Sequence, residues 1–100
     1  MPPRPRYTSG ALHDLAEIGG YIAKDNKREA ERFINRIKDK CREIAASSEM
    51  GRLREAFGSG VRTFPVGNYL IFYKPTRSGV IVLRIIHGAR NLLEAFGPEG

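Results

Sequence analysis

His87 closes a β-rich run, three residues after Arg84 and directly before Gly88-Ala89-Arg90. Arg62 lies in an earlier run of the same kind and Tyr73 in a middle one. Three arginines, a histidine and a tyrosine carried on one sheet can bind phosphates and move a proton, which is the chemistry of RNA cleavage. Arginine holds phosphate but, with a pKa above about 12, accepts protons poorly, so in such a scheme Arg62 and Arg84 hold the scissile phosphate and His87 shuttles the proton. The plain alternative is that polar side chains at strand ends face water or cap the sheet.

Other chemistries find little support. There is no glycine-rich phosphate loop and no HExxH, and Gly58-Ser59-Gly60 by itself is too weak a signal. His13 and His87 are the only histidines, too few for a typical metal site unless carboxylates join, and His13 beside Asp14 reads as a surface residue. The single cysteine, Cys41, excludes an internal disulfide and a cysteine-based zinc cluster within one chain. The expectation is a domain that uses no metal or organic cofactor and acts by binding a macromolecule.

The elements that would position these residues follow from spacing. Pro2, Pro3 and Pro5 keep the start extended, and a short strand around Arg6 to Thr8 suits a sheet edge, where missing amide donors do little harm. Ser9 offers an N-cap, after which Leu12, Leu15, Ile18 or Gly19, and Ile22 recur at helical spacing up to about Ala23. Gly19-Gly20 inside this helix points to close approach of a neighbour, the second helix being the natural one. Lys24-Asp25-Asn26 is a turn, and Ala30, Phe33, Ile34, Ile37, Cys41, Ile44 and Ala45 then form one apolar stripe. Ser47 to Gly60 reads as a connection with little regular structure. Val61 to Pro65, Asn68 to Lys74 and Val80 to His87 are three strands of an antiparallel meander. In the second of them Tyr69, Ile71 and Tyr73 face one way and Leu70 and Phe72 the other, as in a central strand. Asn91 to Gly100, with Leu92, Leu93 and Phe96, suggests a partial helical turn that needs a surface to dock on. The predicted fold is α+β, in the order β-α-α-β-β-β, with an N-terminal helical hairpin on one face of a mainly antiparallel sheet.

One hundred residues suffice for one domain, 1–100, with one modest core. Hydrophobic residues at 41% and charged residues at 28% argue against disorder, and no apolar run approaches the roughly 18 residues of a membrane span. The opening MPPRPRYTSG lacks the apolar run of a secretory signal, so a cytoplasmic protein is expected. The net charge of +6 comes mostly from Arg52 to Arg90, where seven basic residues (Arg52, Arg54, Arg62, Lys74, Arg77, Arg84, Arg90) stand against Glu55 alone. A positive face of this kind attracts acidic protein segments or nucleic acid. With four tyrosines, a nucleic-acid-binding module is a further reading, though without a recognisable binding motif.

Two stretches carry a family likeness. Val61-Arg62-Thr63-Phe64-Pro65-Val66-Gly67-Asn68-Tyr69-Leu70-Ile71-Phe72-Tyr73, followed by Val82-Leu83-Arg84-Ile85-Ile86-His87-Gly88-Ala89-Arg90, resembles the ParE toxins of the ParE/RelE superfamily. Ala11-Leu12-His13-Asp14-Leu15, Tyr21-Ile22-Ala23 and Met50-Gly51-Arg52 fit the same pattern, and the likeness runs from about Tyr7 to Asn91. The resemblance implies a bacterial toxin that needs no cofactor, is silenced in a hetero-oligomer by a ParD-like antitoxin, and has DNA gyrase as its target. It implies no direct specific DNA binding and no membrane association. The RelE branch instead cuts messenger RNA on the ribosome, with basic residues and a general acid or base on the sheet. Here the loop before the meander carries Arg52 and Arg54 where that branch has a lysine pair, which favours gyrase binding over RNA cleavage. The residues expected to meet target or antitoxin are Arg52, Arg54, Arg62, Tyr73, Arg84, His87 and Arg90.

Overall fold

A computed structural model describes residues 2–97. Within these described residues three α-helices flank a five-stranded sheet. Strand β1 (Arg4–Tyr7) is followed by helices α1 (Ser9–Ala23) and α2 (Lys27–Ala46). Strand β2 (Arg52–Leu53) and a single 3₁₀ turn (Glu55–Phe57) come next. The meander β3 (Arg62–Val66), β4 (Tyr69–Thr76) and β5 (Gly79–His87) leads to the short helix α3 (Leu92–Phe96). The sheet order is β1-β5-β4-β3-β2, parallel only between β1 and β5. Among the described residues, no helix is long and apolar enough to cross a membrane.

The hairpin follows from its apolar stripes. Ala11, Leu15 and Ile18 of α1 and Ala30, Ile37, Cys41, Ile44 and Ala45 of α2 are buried. A Cβ on Gly19 would stand 3.4 Å from Ile34 Cγ1, an ordinary van der Waals contact, and Gly20 faces open space, so α2 is the neighbour of Gly19 but the close approach expected of the glycine pair is not required. Asn26 caps α2 by accepting from the Glu29 N–H.

The two faces of β4 divide as its alternation requires. Ile71 and Tyr73, with Tyr69 packed alongside, lie in the core between hairpin and sheet; Phe72 and Leu70 lie in a second cluster on the outer face. That outer cluster is covered by α3 and the 3₁₀ turn, whose Phe96 and Phe57 rings stand 5.0 and 4.9 Å from Phe72. The tail therefore finds the surface that its short apolar pattern requires. Leu92 and Phe96 pack down while Leu93 is exposed, and the stretch beyond Gly97 lies outside the described residues.

Three local expectations need correction. The first strand starts at Arg4, not Arg6: the Arg4 N–H donates to Ser78 O at 2.9 Å and the Thr8 N–H to Val82 O at 3.0 Å. Even-numbered amides thus face β5, and the Pro5 nitrogen faces outward where no donor is needed. The N-cap of α1 is Thr8, not Ser9, because Thr8 is still extended and its hydroxyl accepts from the Ala11 N–H while donating to Leu83 O. Ser47 to Gly60 is also more ordered than its composition suggests, since it contains β2, paired with β3, and the 3₁₀ turn.

The reason for that order is Tyr73. Its hydroxyl, fully buried, accepts from the Gly51 N–H at 2.8 Å and donates to Ser48 O at 2.8 Å. A Cβ at Gly51 would meet this hydroxyl at 2.5 Å, so only glycine lets the loop approach so closely.

Candidate functional site

The polar residues of the meander divide among three places. Arg62 pairs with Tyr73 and His87 with Tyr69, so both face the hairpin but stand four residues apart along β4. At the usual strand rise that is about 13 Å. Arg84 pairs with Phe72 and is three residues from His87, an odd step that the pleat turns to the opposite face. Arg62, Arg84 and His87 therefore lie on one sheet, as expected, but do not converge on one point of it, which counts against the phosphate-and-proton scheme.

Each of these side chains already has protein partners. Arg62 donates from Nη1 to Gly51 O at 2.7 Å and so supports the loop that Tyr73 anchors. Burial pushes the Tyr73 phenol pKa up, against the opposing pull of the Gly51 N–H and the Arg62 charge, and the hydroxyl stays protonated as a donor to Ser48 O. Arg84 donates from Nε and Nη2 to the two carboxylate oxygens of Asp14 at 2.7 and 3.0 Å, and from Nη1 to Ala95 O at 2.8 Å. The hydrogen bonds to Asp14 push its pKa further up, partly offset by burial, so it stays charged.

Asp14 is the residue that sequence reasoning missed. It is 7% exposed and its Oδ2 also accepts from the Ile85 N–H at 2.9 Å. β1 ends opposite Val82, and beyond that point the edge of β5 lacks a strand partner on this side. The Asp14 carboxylate takes over the role of the missing strand at Ile85. A signal existed: Asp14 falls between Ala11 and Ile18 on the buried stripe of α1, where a carboxylate needs a partner.

The same edge carries a β-bulge. Phe72 pairs with Arg84 and Tyr73 with Val82, leaving Leu83 without a partner on β4. The extra residue lets Val80 and Val82 before it, and Ile85 after it, all reach the hairpin-side core.

His87 occupies the far end of the sheet. Its Nδ1 accepts from the Ala89 N–H at 3.1 Å, which leaves the proton of the neutral ring on Nε2. The ring stands edge-on to Tyr69, 5.1 Å between centroids. This pair divides two adjoining clefts. One, of about 460 Å³, is lined by Asp14, Glu17, Tyr21, Lys24 and Arg90 among others, and the other by Ile22, Phe33, Gly67 and Asn68. Tyr21 borders both and is 70% exposed. Arg52 and Arg54 lie at the opposite sheet edge, Arg52 exposed and the Arg54 guanidinium 5.3 Å from the Phe57 ring centroid. The basic residues expected on one positive face are thus dispersed: exposed Arg52 and half-exposed Arg54 at the β2 edge, exposed Arg77 at the β4–β5 turn, and exposed Arg90 beside His87. Among the described residues, no group of three or more His, Cys, Asp or Glu side chains is placed to hold a metal ion.

Comparison with known proteins gives this arrangement its context. The family model described as "ParE toxin of type II toxin-antitoxin system, parDE" matches residues 6–92, from β1 to the start of α3. The chain belongs to the ParE toxin family. It is 30% identical over 97 residues to Toxin ParE3 of Caulobacter vibrioides, covering 96% of this chain and 94% of that toxin. It is 36% identical over 87 residues to the protein Y4kP of Sinorhizobium fredii, covering 84% of this chain and 86% of that protein. Among solved structures, a chain of the chromosomal ParDE TA system from P. aeruginosa superposes with a TM-score of 0.70 at 19% identity, covering 85% of this chain and 95% of that one. This last likeness concerns the fold, a helical hairpin on a mostly antiparallel sheet. The chain is a ParE toxin of a ParDE type II toxin-antitoxin system, as the sequence resemblance implied.

Proposed function

We propose that this ParE toxin, a single cytoplasmic domain spanning residues 1–100, arrests bacterial growth by binding DNA gyrase and performs no chemistry of its own. The observation that carries this reading is the engagement of Arg84: its three nitrogens are bound to Asp14 and to the α3 carbonyls, so it has no free fork for a scissile phosphate. Arg62, tied to Gly51, and His87, about 13 Å away along β4 by strand rise, complete a set that supports the sheet more than it supports a ribonuclease. Exposed Arg52 and Arg90, with Arg54 and His87 half-exposed, remain as contacts for target or antitoxin. Arg62, Tyr73 and Arg84 serve binding by holding the loop and strand edge in shape.

The partner in the resting cell is a ParD-like antitoxin, held in a hetero-oligomer. Family membership and the net charge of +6 support an acidic, flexible segment as the neutralising element. Regulated expression in a bacterium tests the target class. DNA synthesis is expected to stop before protein synthesis; the reverse order would favour ribosome-dependent RNA cleavage. The substitution His87→Ala adds a second arm, because toxicity that survives it excludes His87 as a proton shuttle.

A further inference from the structure

Helix α3 spans five residues, too few to hold helical shape without a surface to dock on. It nonetheless buries Phe96 and, with Leu92 and Ala95, covers Val61, Phe72 and Ile86 on the outer face of the sheet. Among the described residues, the hydrogen bonds that tie α3 to the rest of the fold come from one group: Arg84 Nη1 donates to Ala95 O at 2.8 Å and to Phe96 O at 3.4 Å. The remaining nitrogens of that guanidinium hold Asp14, whose side chain also borders the cleft on the hairpin side.

One side chain therefore passes round the edge that β1 leaves open and joins two surfaces on opposite faces of the sheet. We propose that α3 is a releasable strap and that the Asp14–Arg84 pair is its latch, coupling the hairpin-side cleft to the apolar outer face. With both carboxylate oxygens engaged, the guanidinium is fixed in the orientation that presents Nη1 to the α3 carbonyls. A cationic side chain entering the cleft and competing for Asp14 frees Arg84 to turn toward water. The strap then keeps only its apolar contacts, and release uncovers Val61, Phe72 and Ile86. Such coupling needs two arrangements of one element, here the docked and the released strap, and a ligand that favours one of them.

Native-state NMR of the full chain tests the latch, comparing the wild type with Asp14→Asn and Arg84→Lys. The readouts are exchange of the Ala95 and Gly97 amides, which bond Asn91 O and Leu93 O within the strap, and the contact between the Phe96 and Phe72 rings. Losing charge-assisted bonds is expected to speed exchange of those two amides roughly tenfold to a hundredfold and to weaken the ring contact, while β4 amides change less than about twofold. Should Asp14→Asn fail to fold, Arg84→Lys decides alone, since it keeps the charge and removes the fork. Strap amides exchanging at the wild-type rate, or speeding up only in step with β4, would overturn the proposal.

Discussion

Tyr73 illustrates how one hydroxyl can organise a loop. Removing it leaves the Gly51 N–H and Ser48 O without their partner in a buried setting. Tyr73→Phe is therefore expected to cost about 1–3 kcal/mol in urea unfolding while the far-UV spectrum stays native. Cys41 makes a different prediction. Burial pushes its thiol pKa up from 9.0 to about 11, and burial also raises that of the neighbouring Tyr7 phenol. A group with a raised folded pKa contributes stability that is complete below its unfolded value and lost as pH rises through the folded one. Unfolding free energy should thus fall as pH is raised from 9 to about 11, and Cys41→Ala should flatten part of that fall; unchanged stability over this window would contradict the burial.

At the scale of elements, α2 carries the core. Ile37 is fully buried between hairpin and sheet, and Ile37→Ala is expected to lower stability by about 2–5 kcal/mol, as measured by chemical denaturation. The stripe of α2 and the alternation of β4 were legible in the sequence because many residues repeat the same period, so single exceptions cannot hide it. β2 was not, since two residues carry no period and the strand depends on a hydroxyl 22 positions away from Gly51. The site was legible only in part. Arg62, Arg84 and His87 were recognisable as polar residues on one meander, but their partners are set by tertiary packing. Asp14 lies 70 positions from Arg84, and no local pattern links the two. The odd spacing of Arg84 and His87 does imply opposite faces, a direct consequence of the pleat.

For the whole molecule, the proposed function rests on association. If a ParD-like antitoxin orders itself on this surface, the toxin gains stability by mass action, and the melting temperature of the complex should exceed that of the isolated toxin and rise with antitoxin concentration. Equal melting temperatures would count against a tight complex. High salt should slow association, because Arg52 and Arg90 stand exposed where screening acts on them. The central claim, that binding alone is the toxic act, is met most directly by a supercoiling assay with purified gyrase and purified toxin. Inhibition should rise with toxin concentration and be reversed by the cognate antitoxin. Undiminished supercoiling at saturating toxin would contradict it.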